Sequence, residues 1–180
     1  MKMNPRQRNE PTPGAAGAPA PQAMNTAKDG DHPHVIALPP LLFLLFIAAG
    51  FGVRCFWPMR VGPAGATRAA GVLVCLVSAV LAIWARQAMK ASGTHVRPDR
   101  PTLAIVTDGP FRFTRNPLYL SLCLLQLAAG LLADDWTLIL LTAPLALALH
   151  FGAVMREEAY LERKFGATYL DFKRQVRRWI

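Results

Sequence analysis

The sequence predicts an all-α integral membrane protein of about four transmembrane helices, with a C-terminal helical hairpin and interfacial amphipathic tail helices. Three observations carry that expectation. Apolar residues make up 53% of the 180 positions and are gathered in blocks instead of being spread along the chain. Four blocks, Leu38–Trp57, Ala69–Met89, Leu118–Ala133 and Trp136–Met155, come close to the roughly 17–25 residues a helix needs to cross a bilayer, the third being the shortest. The net charge of +9 comes from basic residues that flank these blocks. Anionic headgroups and membrane topology account for such charges better than nucleic acid does.

Residues 1–34 are rich in Pro, Ala and Gly and hold almost no large apolar side chains. They are expected to form a disordered tail ahead of a domain spanning 35–180. No apolar run closely follows the early basic residues, which argues against a cleavable signal, and Met24 is an alternative start. His32 and His34 flank Pro33 in this tail; two histidines do not complete a metal site, and no metal is expected. Cys55, Cys75 and Cys123 have no ligand spacing and read as small packing residues.

The first helix is expected over about 38–57, with Pro39 and Pro40 tolerated in its first turn and Trp57 as an interfacial anchor. Gly62, Pro63 and Gly65 turn the chain into a second helix, about 69–89, which ends on Trp84, Arg86 and Lys90. The loop 92–116 holds Arg97, Arg100, Arg112 and Arg115, and carries Pro98 and Pro101 without helical period. A loop of this length suits a cover over a site. The third and fourth helices, 117–133 and 136–157, form a hairpin turned by Asp134 and Asp135. The tail 158–180 is basic again, so the positive-inside rule puts this loop, the tail and the N-terminus in the cytoplasm. Arg54, Arg60 and Arg68 in and around the first loop pull the other way.

Chemistry concentrates in Gly109-Pro-Phe-Arg-Phe-Thr-Arg-Asn-Pro-Leu-Tyr119. Asn116 is a favoured N-cap and Pro117 suits the first helical position. The positive end of a helix dipole thus stands beside Arg112 and Arg115, a setting for a carboxylate or phosphate. The same residues also describe an ordinary membrane-helix start with arginines at the headgroups. On the fourth helix, His150 lies within an apolar run, and Glu157 and Glu158 follow where that helix emerges. At seven residues' separation His150 and Glu157 share a face, roughly 10 Å apart along the axis. An ionisable residue inside a membrane span is a functional candidate. Beyond them Tyr160, Leu161 and Phe165, then Tyr169, Phe172 and Val176, recur at helical spacing with Gly166 between the sets. They read as basic amphipathic helices lying on the membrane.

Taken in order, the Gly109–Tyr119 stretch, the hairpin, Glu157-Glu158 and the aromatic tail ending in Arg178-Trp179-Ile180 resemble the isoprenylcysteine carboxyl methyltransferase family. The membrane phospholipid methyltransferases are its relatives. The likeness covers about Thr94 to Ile180. It implies S-adenosylmethionine enclosed by the loop, the acidic pair and the tail, with a lipophilic or lipid substrate entering from the bilayer and no nucleic acid. Arg115, Asn116, Pro117 and Tyr119 match that family's Arg-His-Pro-x-Tyr motif, with Asn in place of His, and Ser121 stands where Gly is common. The resemblance implies cofactor binding by Arg115, Asn116, Pro117, Tyr119, Glu157 and Glu158, to which the dipole setting adds Arg112, and catalytic roles are expected of Arg115, Tyr119, Glu158 and Arg178, the last as a partner for a substrate carboxylate. A carboxylate acceptor needs no general base, whereas an amine or thiol must lose a proton, which draws attention to His150 or a glutamate. Two rivals fit the same helices: a membrane reductase of the sterol-reductase type using NADPH, and a non-catalytic membrane scaffold.

Overall fold

Pro39 opens helix α1 (Pro39–Phe56), as expected of a residue whose missing N–H costs nothing in a first turn. The computed structural model describes residues 39–93 and 104–180. The expected tail with Met24, His32 and His34, and Arg97, Pro98, Arg100 and Pro101 of the loop, lie outside the described residues. Among the described residues every regular element is helical.

Helix α2 (Ala64–Ala91) is 28 residues long and begins earlier than the apolar block at Ala69 suggests. Pro63 takes the N-cap position with an extended backbone. Its carbonyl accepts from Ala66 and Thr67 N–H groups at 3.0 and 3.2 Å, so the helix is nucleated ahead of its apolar face and Gly65 falls in its first turn. Helix α3 (Pro117–Ala133) has 17 residues, the bounds read from the sequence. The fourth span is one apolar rod, Trp136–Phe165, built from α4 (Trp136–Leu140), α5 (Thr142–Leu149), a π turn (His150–Val154) and α6 (Met155–Phe165). It runs past 157, so the acidic pair sits within the helix and Tyr160 to Phe165 continue it. Gly166, at φ +53°, breaks the chain before α7 (Ala167–Gln175), as its position between the two aromatic sets indicates.

Three helices, α1, α2 and the Trp136–Phe165 rod, are long and apolar enough to cross a membrane, and α3 is a shorter apolar helix. Leu41, Leu44, Leu45, Leu73, Val80 and Ile83 are exposed on α1 and α2. Apolar surface of this extent on two helices that each pack against α3 is what a bilayer covers. The chain is a membrane protein.

The far end is tied by carboxylates. Asp134 adopts a left-handed C-cap and accepts from the Val61 and Gly62 N–H groups at 3.2 Å each. Asp135 caps α4 through Thr137 N–H at 2.9 Å and takes the Met59 N–H at 3.2 Å. The first loop and the hairpin turn therefore lie at one end, and Arg115 and the acidic pair at the other. In the hairpin itself, a Cβ on Gly130 would stand 2.7 Å from the Ile139 backbone nitrogen. Gly130→Ala is accordingly expected to destabilise the protein by about 1–3 kcal/mol through overpacking, visible as a lowered thermal midpoint in detergent. An unchanged midpoint would refute this close approach.

Candidate active site

Helix α3 starts at Pro117 because proline presets its first turn, but Asn116 does not cap it with its side chain. The Asn116 amide instead donates to the Arg178 carbonyl at 3.0 Å. The Thr114 hydroxyl donates to the same carbonyl at 3.2 Å, and Arg115 N–H donates to the Arg177 carbonyl at 3.0 Å. The three residues before the helix thus hold the segment after α7 across the end of the bundle. Asn can supply the donor at this position; a capping role would have turned its oxygen inward toward the helix instead.

That segment delivers Arg178 to Glu158. The guanidinium donates from Nε to Oε1 at 3.0 Å and from Nη2 to Oε2 at 2.8 Å, a bidentate, geometrically specific pair. The Glu158 hydrogen bond holds the Arg178 pKa above its ordinary value. Arg115 approaches the same carboxylate, with Nη1 3.1 Å from Oε1, and the Arg115 and Glu158 side chains are 7% and 6% exposed. The Arg115–Glu158 approach is an ion pair by distance, yet Arg115 Nη1 and Nε make no hydrogen bond among the described residues. Glu157, one position earlier, turns to α3 and accepts from the Tyr119 hydroxyl at 2.7 Å.

These groups wall a cavity of about 420 Å³ lined by Arg115, Asn116, Pro117, Tyr119, Glu157 and Glu158, within the roughly 300–1,000 Å³ of small-molecule pockets. Its other wall, between α2 and α3, is mostly apolar: Cys75, Ala79 and Ala82 face Leu122 and Leu125, with Ser78 and Ser121 at the helix crossing. There the Ser78 hydroxyl donates to the Ser121 carbonyl at 2.8 Å.

Seven of the expected positions are thus brought together: Arg115, Asn116, Pro117, Tyr119, Glu157 and Glu158 on the wall, and Arg178 behind Glu158. Arg112 is not. It closes a 3-10 turn (Gly109–Arg112), is exposed, and is absent from the cavity wall. His150 also stands apart. The π turn that starts at His150 interrupts the 3.6-residue count linking it to Glu157, and its Nδ1 accepts from the Trp179 indole N–H at 3.3 Å.

Tyr169 and Phe172 were missed as wall residues. Both are buried and line the cavity, so the apolar face of α7 meets protein and not lipid. Burial, with Glu158 nearby and Arg115 opposing, pushes the Tyr169 phenol up to about 12, so it remains a neutral donor at physiological pH. Arg86, exposed at the end of α2, also lines the cavity. The periodic spacing of Tyr169 and Phe172 was the available signal, but it identifies an apolar face without saying what covers it.

Comparison with known proteins adds two findings. The phospholipid methyltransferase family model matches residues 66–168, a stretch holding α3, the acidic pair and most of α2. An uncharacterized protein of Haemophilus influenzae is 40% identical over 63 residues, which are 35% of this chain and all of that protein.

Proposed function

The chain belongs to the phospholipid methyltransferase family, and on that premise we propose that it transfers a methyl group from S-adenosylmethionine to a lipophilic or membrane-partitioned acceptor at the cytoplasmic membrane face. The family points to a methyltransferase that works in a membrane.

The observation that carries the reading is Arg115, whose buried Nε has no hydrogen-bond partner among the described residues, while Nη1 meets only the Glu158 carboxylate, beside a cavity its side chain lines. A buried donor left unsatisfied costs about 1–3 kcal/mol, and more when charged. A ligand carboxylate, such as the one on the cofactor's methionine end, relieves that cost. Glu158, with both oxygens already anchored, has lone pairs left for ribose hydroxyls. Tyr119 and Tyr169 offer aromatic faces suited to a cation. The cofactor, when bound, supplies an electrophilic methyl on a cationic sulfur that departs as a neutral thioether.

The protein's own share is binding, alignment and exclusion of water, which is how a displacement in a cavity is accelerated. The apolar wall between α2 and α3 supports a lipophilic acceptor, whether it presents an isoprenylcysteine-type carboxylate, a lipid amine or a lipid thiol. Pairing Arg178 with Glu158 supports a positioning role for Arg178. The basic loop and tail support a cytoplasmic site.

Binding of S-adenosylmethionine and, separately, NADPH to the detergent-purified protein tests this. Saturable binding of S-adenosylmethionine, weakened by Arg115→Ala, is expected. Binding of NADPH alone, or of neither in the presence of lipid, would overturn the reading.

A further inference from the structure

At the far end of the bundle Arg54, Arg60 and Arg68 run against the charge pattern expected of that side. The two carboxylates at this end are occupied by backbone groups. Asp134 accepts from the Val61 and Gly62 N–H groups, and Asp135 from those of Met59 and Thr137. Arg54 gives its guanidinium to the Ala133 carbonyl at the end of α3. Arg60 is exposed and enters no ion pair among the described residues.

The residue before it, Met59, lines an open groove of about 420 Å³ together with Val53, Trp57, Thr137, Leu140 and Leu141. Helix α1 and the Trp136–Phe165 rod meet closely at Gly50, where a Cβ would stand 3.1 Å from Leu141 Cδ1. The groove is what their separation leaves on the loop side of that contact. Met59 is fixed at its rim from both sides: its N–H donates to Asp135 Oδ2 at 3.2 Å, and its carbonyl accepts from Trp136 N–H at 2.8 Å. Arg60 therefore starts from a held position beside the groove.

Depth decides what fills it. Trp57 and Trp136 are exposed and mark the headgroup level at this end. Val53 and Leu140 lie about one turn, or about 5 Å, inside the two helix ends, at the edge of the hydrocarbon. Thr137 is the one polar residue among the six that line the groove, so water finds too few partners there to stay. A lipid chain is the neighbour at that depth, and a headgroup above it comes level with Arg60.

We propose that this groove is a binding site for an anionic phospholipid, one acyl chain lying against Val53, Leu140 and Leu141 and the phosphate meeting Arg60. The site belongs to the leaflet opposite the candidate active site, and nothing in it depends on the chemistry proposed above. Its occupant ties the end of α1 to the start of the rod.

The test uses the full chain in dioleoylphosphatidylcholine vesicles, with phosphatidylglycerol or phosphatidylcholine carrying a diazirine on one acyl chain. After illumination, peptide mass spectrometry locates the labels. Phosphatidylglycerol should label Val53, Leu140 and Leu141 about fivefold more than phosphatidylcholine does, the preference that about 1 kcal/mol for an arginine at a membrane surface provides. Arg60→Gln should bring the two lipids level without lowering the phosphatidylcholine signal. Val53→Trp, a substitution at an exposed position, should fill the groove and remove labelling by both lipids there, with the thermal midpoint kept. Arg174→Gln, which removes an exposed charge on α7, should leave the preference intact. Equal labelling of the parent by the two lipids would overturn the proposal by reducing the site to unselective contact with lipid. An equal loss of preference in Arg174→Gln would overturn it in favour of diffuse surface charge. A groove protected from both probes in the parent would do so in favour of a second copy of the chain.

Discussion

Glu158→Ala is expected to lower stability by about 3 kcal/mol, the low end of the cost of removing one partner from a buried ion pair, and to abolish cofactor binding. The Glu158 side chain is 6% exposed and serves two guanidiniums. Its removal strands Arg115, itself 7% exposed, as an uncompensated buried charge. It also frees Arg178, and with it the segment that crosses the end of the bundle. Thermal unfolding in detergent should show a marked fall in midpoint, and limited proteolysis should cut after Arg177 or Arg178 sooner than in the parent. Glu158→Gln, which keeps the shape and one oxygen acceptor, should lie between the two. A Glu158→Ala protein with the parent's midpoint would show that the two ion pairs contribute nothing net.

Arg115→Lys is expected to weaken S-adenosylmethionine binding about 30-fold, corresponding to about 2 kcal/mol for a lost charged hydrogen bond. Lysine keeps the positive charge beside Glu158, so the fold should survive. It lacks the planar fork through which Nε and an Nη grip one carboxylate together. In the native chain Nε makes no hydrogen bond among the described residues, and Nη1 stands 3.1 Å from Glu158 Oε1 as an ion pair. Calorimetric titration measures the change; an affinity equal to the parent's would mean that charge alone, and not the fork, recognises the ligand.

The four apolar blocks were legible in the sequence because the bilayer imposes length and composition at once. Helix α3 matches because its start is written locally, in Asn116-Pro117, and its end in Asp134-Asp135. Helix α2 was placed too late because hydropathy marks the buried length of a helix, while its first turn at Ala64 is set by the Pro63 carbonyl. Arg115, Tyr119, Glu157 and Glu158 were legible as two clusters, and the resemblance predicted that they meet. Other features depend on contacts between distant segments. Asn116 reads as a cap, yet the Arg178 carbonyl claims its amide. Tyr169 and Phe172 read as lipid-facing because an apolar face looks the same against lipid or protein. The π turn at His150 is invisible to a count that assumes 3.6 residues per turn.

The 17 residues of α3 give it a length of about 26 Å, short of the roughly 30 Å hydrocarbon layer. The bilayer must thin around it, or the end of the helix must lie beneath the headgroups. On the reading proposed here, the cavity that Tyr119 lines is then expected to open at the depth of the leaflet. For the acceptor proposed here, encounter then takes place by diffusion within the plane of the leaflet. The lipid never spends the roughly 0.8 kcal/mol per methylene needed to draw a chain into water. Turnover should follow the mole fraction of acceptor in the membrane, so that diluting a fixed amount of it with inert lipid slows the reaction.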